Sequence, residues 1–140
     1  MARADFYVLS GQATPPRFSC TIAGKAVAQG SSVYILTDDR EQAQAMDDLL
    51  WTFQDTSFLP HSLTDRDMDA PVLIGWEEPD LQKPDILINL TATVPGCAAS
   101  FNRAIEIVGD DPEQRELGRN RYRQYRKLGF ELFTHDIKPE

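Results

Sequence analysis

Between residues 115 and 127 the chain sets six cations, Arg115, Arg119, Arg121, Arg123, Arg126 and Lys127, against the single acid Glu116. That segment is +5 in a 140-residue protein of net charge −8, so the remainder carries −13. An acidic body with one basic patch is poised to recognise something acidic there. At about 100° per residue, Arg115, Arg119, Tyr122, Arg123 and Arg126 fall on one face of a helix. Leu117 and Leu128 fall on the opposite face, expected to pack on a sheet, with Tyr125 at the boundary. A solvated outer face is the ordinary fate of a charged helix, but along the stripe, from Arg115 to Arg126, there are no i,i+4 acidic partners to neutralise it, so it repels itself. Its cations are mostly Arg, whose planar fork suits carboxylate or phosphate, interleaved with tyrosines. The matching ligand is an acidic peptide or a single strand of nucleic acid whose bases stack on Tyr, and spacing does not choose between them.

The other reactive residue types do not assemble into a catalytic set. His61 and His135 are the only histidines. His61 reads as a loop residue packing locally. His135 and Asp136 look like a pair, but neighbours in a strand point to opposite faces. Cys20 and Cys97 are far apart and lack C-x-x-C spacing, so neither a disulfide framework nor a zinc site is expected. Cys97 follows Pro95-Gly96, where a helix start would favour a thiolate, although a plain buried Cys is the simpler reading. After the first expected strand comes Ser10-Gly11-Gln12-Ala13-Thr14-Pro15-Pro16, with one Gly and two prolines that remove donors where a phosphate would bind. No G-x-x-x-x-G-K-[ST] occurs either. The expectation is a protein without catalytic residues, metal or cofactor.

A second cluster is aromatic. Trp51, Phe53 and Phe58 stand at a helix end and in a polar loop, where exposed anchors for a partner are expected. Their alternative is to close the core beneath the loop, and for Phe53 the two readings weigh equally.

These residues need elements to hold them. Phe6–Leu9, Val33–Leu36, Val72–Gly75, Ile86–Leu90, Ala104–Val108 and Phe130–Phe133 read as strands, many without strict polar alternation and so covered on both faces. One helix is expected from Thr14-Pro15-Pro16 to a stop at Gly30, and a second opens at Asp38 with Glu41 as its capping-box partner. A third opens at Asp111, with Pro112 in the first turn and Gln114 at the box position, and stops at Gly129. Residues 55–70 read as an irregular surface connection, and Pro79–Pro84 as another loop. Alternating strands and helices imply crossover units. The expected fold is α/β, a single Rossmann-like domain over residues 1–140, its mainly parallel sheet flanked by helices and lacking a nucleotide-binding loop. With no apolar run of about 18 residues and no signal-peptide pattern, the expected location is the cytoplasm.

Four stretches in register resemble one known family. Arg119-Asn120-Arg121-Tyr122-Arg123-Gln124-Tyr125-Arg126-Lys127-Leu128-Gly129-Phe130 is similar to the R-x-R-Y-[KR]-x-Y-R-x-x-G-[FY] stretch of the DNA polymerase III chi subunits. Asp5-Phe6-Tyr7-Val8-Leu9 resembles that family's D-F-Y-L-L start, and the run from Leu50 to His61 its L-W-T-F-x-D-x-S-F-[VL]-P-H signature. Ala70–Gly75 and Pro84–Leu90 resemble its A-P-V-x-I and P-D-[IL]-L-I-N-L strands. The resemblance implies a Rossmann-like fold without a nucleotide site and a non-catalytic subunit of the bacterial replicative polymerase. It implies two partners: the psi subunit, which tethers chi to the clamp loader, and the acidic C-terminal tail of single-stranded DNA-binding protein, ending in Phe. The tail would meet Arg115, Arg119, Tyr122 and Arg123, with Arg126 continuing the stripe. The psi contact would centre on Trp51 and Phe58, with Phe53 beside them. Contact with nucleic acid would then be indirect; direct single-strand binding through the same basic helix is the alternative.

Overall fold

The computed structural model describes residues 2–53, 58–81 and 84–138. Strands β1 (Arg3–Val8), β2 (Val33–Leu36), β3 (His61–Leu63), β4 (Val72–Gly75), β5 (Ile86–Asn89), β6 (Arg103–Val108) and β7 (Glu131–Asp136) form one sheet in the order β3-β4-β2-β5-β6-β1-β7. Every pairing among these strands is parallel. Helices α1 (Pro15–Ala28), α2 (Arg40–Thr52) and α3 (Pro112–Lys127) connect them, with a short 3-10 turn at Gly96–Ser100. The architecture is Rossmann-like α/β.

The chain steps from β1 through β2 to β3 in one direction and then returns through β4, β5 and β6 to β7. Parallel crossovers are almost always right-handed, so reversing direction moves the connecting helices to the other face. The core divides accordingly. Ile35, Ile74, Ile88 and Ile105 pack with Cys20, Ala23, Met46 and Leu50 of α1 and α2. On the opposite face Phe6, Tyr34, Leu87 and Val108 pack with Tyr125 of α3 and with Phe101.

The helix boundaries follow local chemistry. Asp111 accepts a hydrogen bond from the Gln114 amide at 2.9 Å, with Pro112 leading α3. Its far end is closed by Gly129 at φ 83°, with the Gly129 amide donating to the Arg126 carbonyl and Phe130 to Tyr125. The Phe130 ring meets Tyr125 at 4.8 Å, supplying the apolar contact that accompanies this kind of stop. Helix α2 starts one residue later than expected, because Asp38…Glu41 and Asp39…Gln42 both fit a capping box. The structure uses the second, Asp39 accepting from the Gln42 amide at 2.8 Å.

Two further expectations are corrected. The supposedly irregular 55–70 connection contains β3, a three-residue edge strand whose partner β4 is what makes it extended. Leu128 is 59% exposed and does not pack on the sheet. It caps α3 beyond the last full turn, and Gly118, Arg121 and Tyr125 form the buried side instead.

Candidate docking surfaces

Helix α3 is held by a polar network that separates Arg121 from the other cations. Glu106 of β6 is wholly buried; it accepts from Arg121 Nε at 2.7 Å, from the Tyr125 hydroxyl at 2.7 Å and from Asn89 Nδ2 at 2.9 Å. Burial pushes the Glu106 carboxyl up to about 7, against the lowering pull of the Arg121 guanidinium, Asn89 and Tyr125. Desolvation, together with the Glu106 charge, drives the Tyr125 phenol upward. Arg121 therefore anchors the helix and adds nothing to the outward stripe.

The rest of the stripe faces out. Arg119, Arg123 and Arg126 are exposed, and Arg115 and Tyr122 half-buried. Arg115 donates to the Leu9 carbonyl at 2.8 Å and to Asp110 at 2.9 Å. Its hydrogen bond, with one from the Gly11 amide, holds the Asp110 carboxyl below the usual range. Arg123 donates to Asn120. Arg126 lies 5.9 Å from the Tyr122 ring centroid, and Tyr122 meets Phe6 edge-on at 5.3 Å.

Beside this stripe runs a groove of about 200 Å³, lined by Phe6, Val8, Val108, Gly118 and Thr134 and flanked by Arg115, Arg119 and Tyr122. Its floor depends on Gly118, where a Cβ would lie only 2.8 Å from Val108 Cγ2. The absent side chain lets α3 approach β6 closely. An apolar slot with guanidinium groups at its rim can take a ring and an adjacent anion together. Sequence reading located the cations but not the slot, because β1, β6 and β7 supply its floor from distant parts of the chain.

The aromatic cluster lies on the other half of the molecule. Trp51 is 55% exposed and Phe58 97%. Phe53 is half-buried against the α1–α2 core, with the Arg17 guanidinium 5.4 Å from its ring, so it serves at least partly to close the core. Trp51 rests on buried His61, ring centroids 4.5 Å apart. His61 Nδ1 lies 2.7 Å from the Leu59 carbonyl, which can only accept, so Nδ1 carries a proton. Nε2 has no hydrogen-bond partner among the described residues and stands 3.5 Å from Asp47 Oδ1. His61 is thus the buried floor under Trp51.

His135 pairs with Asp5, not Asp136: its Nε2 lies 2.9 Å from Asp5 Oδ1, and its ring stacks on Tyr7 at 4.6 Å. Burial alone would raise the Asp5 carboxyl, but hydrogen bonds from Arg3, Arg103 and His135 outweigh it and hold it well below the usual carboxylate range. This knot ties β7 to β1 and β6. Cys97 is half-buried; burial and then Glu78 push its thiol up, the reverse of an activated thiolate.

A crevice of about 740 Å³ lies at the carboxyl ends of the strands, where ligands bind in many open α/β sheets. At the helix starts near it, Pro15 and Pro16 remove two donors from α1, while Asp39 and Asp111 each take one, from the Gln42 and Gln114 amides. Among the described residues no cluster of three or more His, Cys, Asp or Glu could hold a metal, and no helix is long and apolar enough to cross a membrane.

Comparison with known proteins gives a consistent picture. The family described as "DNA polymerase III chi subunit, HolC" matches residues 1–133. The protein named DNA polymerase III subunit chi from Pseudomonas aeruginosa is 39% identical over 139 residues, covering 98% of each chain. The protein of that name from Escherichia coli is 33% identical over 96% of this chain and 97% of its own. That from Haemophilus influenzae is 31% identical over 96% of both.

Proposed function

Since the chain belongs to the DNA polymerase III chi subunit family, we propose that it is a non-catalytic accessory subunit bridging the clamp loader to single-stranded DNA-binding protein in the bacterial cytoplasm. In this reading the acidic C-terminal tail of that protein docks along α3. Its terminal Phe ring enters the groove over Val108 and Gly118, while its carboxylates meet Arg115, Arg119, Arg123 and Arg126, with Tyr122 walling the slot. The psi subunit docks on Trp51 and Phe58, with Phe53 behind them. The observation that carries the reading is the joining of an apolar slot to a row of exposed guanidiniums, in a protein otherwise acidic.

The test is calorimetric titration with an acidic peptide ending in a free Phe carboxylate. The same peptide amidated at its C-terminus and the Arg119→Ala protein serve as controls. Arg119 is the better probe because it is exposed, whereas Arg115 also supports the Leu9 and Asp110 contacts. A charge pair desolvated on binding predicts a loss of about 2 kcal/mol or more. Binding that ignores both the carboxylate and Arg119 would remove the assignment.

A further inference from the structure

The two docking surfaces sit at opposite electrostatic poles. Residues 38–80 contain twelve Asp and Glu against two Arg. The strand order gathers the described residues of that stretch toward the β3 end of the sheet, while α3 and β7 lie toward the other. One of the two arginines, Arg40, is already paired with Asp65 at 2.9 Å.

One of these acids shares a helix face with an exposed aromatic, and two more lie beside β3. Asp48 shares a face of α2 with Trp51, three residues on, and its contact there is with neutral Gln44. On the other side of β3, the Asp67 amide donates to the Ser62 hydroxyl, and Asp67 in turn accepts from the Asp69 amide. Met68, between them, is 46% exposed. Trp51, Phe58 and Met68 are thus exposed apolar points in a stretch of the chain that is mainly acidic. Exposed aromatics of this size mark an interface, and the charge around them selects who can cover it.

We propose that this surface is built for a segment of net positive charge, whose apolar side chains cover Trp51 and Phe58 while its Lys or Arg residues meet Asp48, Asp67 and Asp69. The inference rests on the psi-docking reading and adds the chemistry of the contact: the psi segment seated here is basic. A second copy of this chain would bring the same acids against the rim. An acidic tail of the kind proposed for α3 is repelled from it, so each partner is directed to its own pole.

The experiment measures the affinity and association rate of purified psi subunit for the full chain between 50 and 500 mM salt. It is repeated with Asp48→Lys, with Asp69→Lys and with Trp51→Ala, each checked for an unchanged melting temperature. Asp48 and Asp69 are both exposed, so both variants should fold. The expected result is an affinity that falls about tenfold or more as salt screens the rim, with each charge reversal costing about three- to tenfold, chiefly in association rate. A salt-independent affinity untouched by either reversal, while Trp51→Ala abolishes binding, overturns the basic-partner inference and leaves the docking site standing. Full affinity in Trp51→Ala removes the docking site itself, and the inference with it.

Discussion

Gly118→Ala separates the packing argument for the α3 groove from helix propensity. In an ordinary exposed helix interior this change stabilises by about 1 kcal/mol, because Gly costs more backbone entropy than Ala. Here the new methyl would lie 2.8 Å from Val108 Cγ2 and 3.0 Å from Cγ1, well inside carbon–carbon contact. Val108 is 4% exposed, in a strand paired with β1, so it has little room to yield. Overpacking of this kind costs about 1–3 kcal/mol. Set against the propensity gain, the net is a loss of about 0–2 kcal/mol, with α3 displaced outward and the groove floor reshaped.

Two assays are needed because the stability change alone is small. Chemical denaturation of the wild type, Gly118→Ala, Val108→Ala and the double variant gives a coupling energy. Removing the valine methyls should relieve the clash, so the double variant should be more stable than the sum of its parts by about 1 kcal/mol. Titration with the Phe-terminated acidic peptide should show weaker binding to Gly118→Ala, since Gly118 and Val108 line the slot. A Gly118→Ala protein about 1 kcal/mol more stable than wild type, with unchanged peptide affinity and no coupling to Val108, would refute the close-approach argument.

The buried network makes a prediction of another kind. Glu106→Ala strands the Arg121 guanidinium, 5% exposed, and should cost about 3–5 kcal/mol in denaturant unfolding. Glu106→Leu with Arg121→Met removes both charges and should recover most of that loss; equal instability in the two proteins would contradict the pairing. The Asp5 knot gives an acid limb. The Asp5 carboxyl is held below its unfolded value, so its contribution is present above about pH 3.9 and is lost as pH falls toward the folded value. Asp5→Asn should therefore flatten the pH dependence of the melting temperature below about pH 4, and an unaltered acid limb would show that the contribution comes from elsewhere.

The sequence made the strand–helix alternation and the α3 caps legible because those signals are local. A capping Asp, its amide partner and a stop glycine lie within one turn of the residues they fix. It failed where the deciding contact is distant in sequence. The tripeptide His61-Ser62-Leu63 becomes a strand only through β4, and periodicity left Arg121 off the outward stripe without naming Glu106, fifteen residues earlier, as the carboxylate beneath it. The direction of Leu128 was lost because helical periodicity was carried one residue past the last turn. Among the proposed site residues, type and spacing anticipated the exposure of Arg119, Arg123, Arg126 and Trp51. The slot beside those cations is a property of helix-to-sheet distance, which a glycine in the sequence does not announce.

The geometry also bears on whether both proposed partners can bind together. Adjacent strands lie about 4.8 Å apart, so the six intervals between β3 and β7 separate the sheet edges by about 29 Å. Trp51 belongs to α2, which packs with β3 and β4 on one face, whereas α3 packs on β6 and β7 from the other. A tail peptide in the groove and a protein on Trp51 and Phe58 therefore share neither a strand edge nor a sheet face. The described residues between them are a sheet with a packed core on each face. The proposed bridging role calls for this arrangement: affinity for one partner that does not depend on the other, with opposite charge at the two poles keeping the proposed ligands from exchanging places.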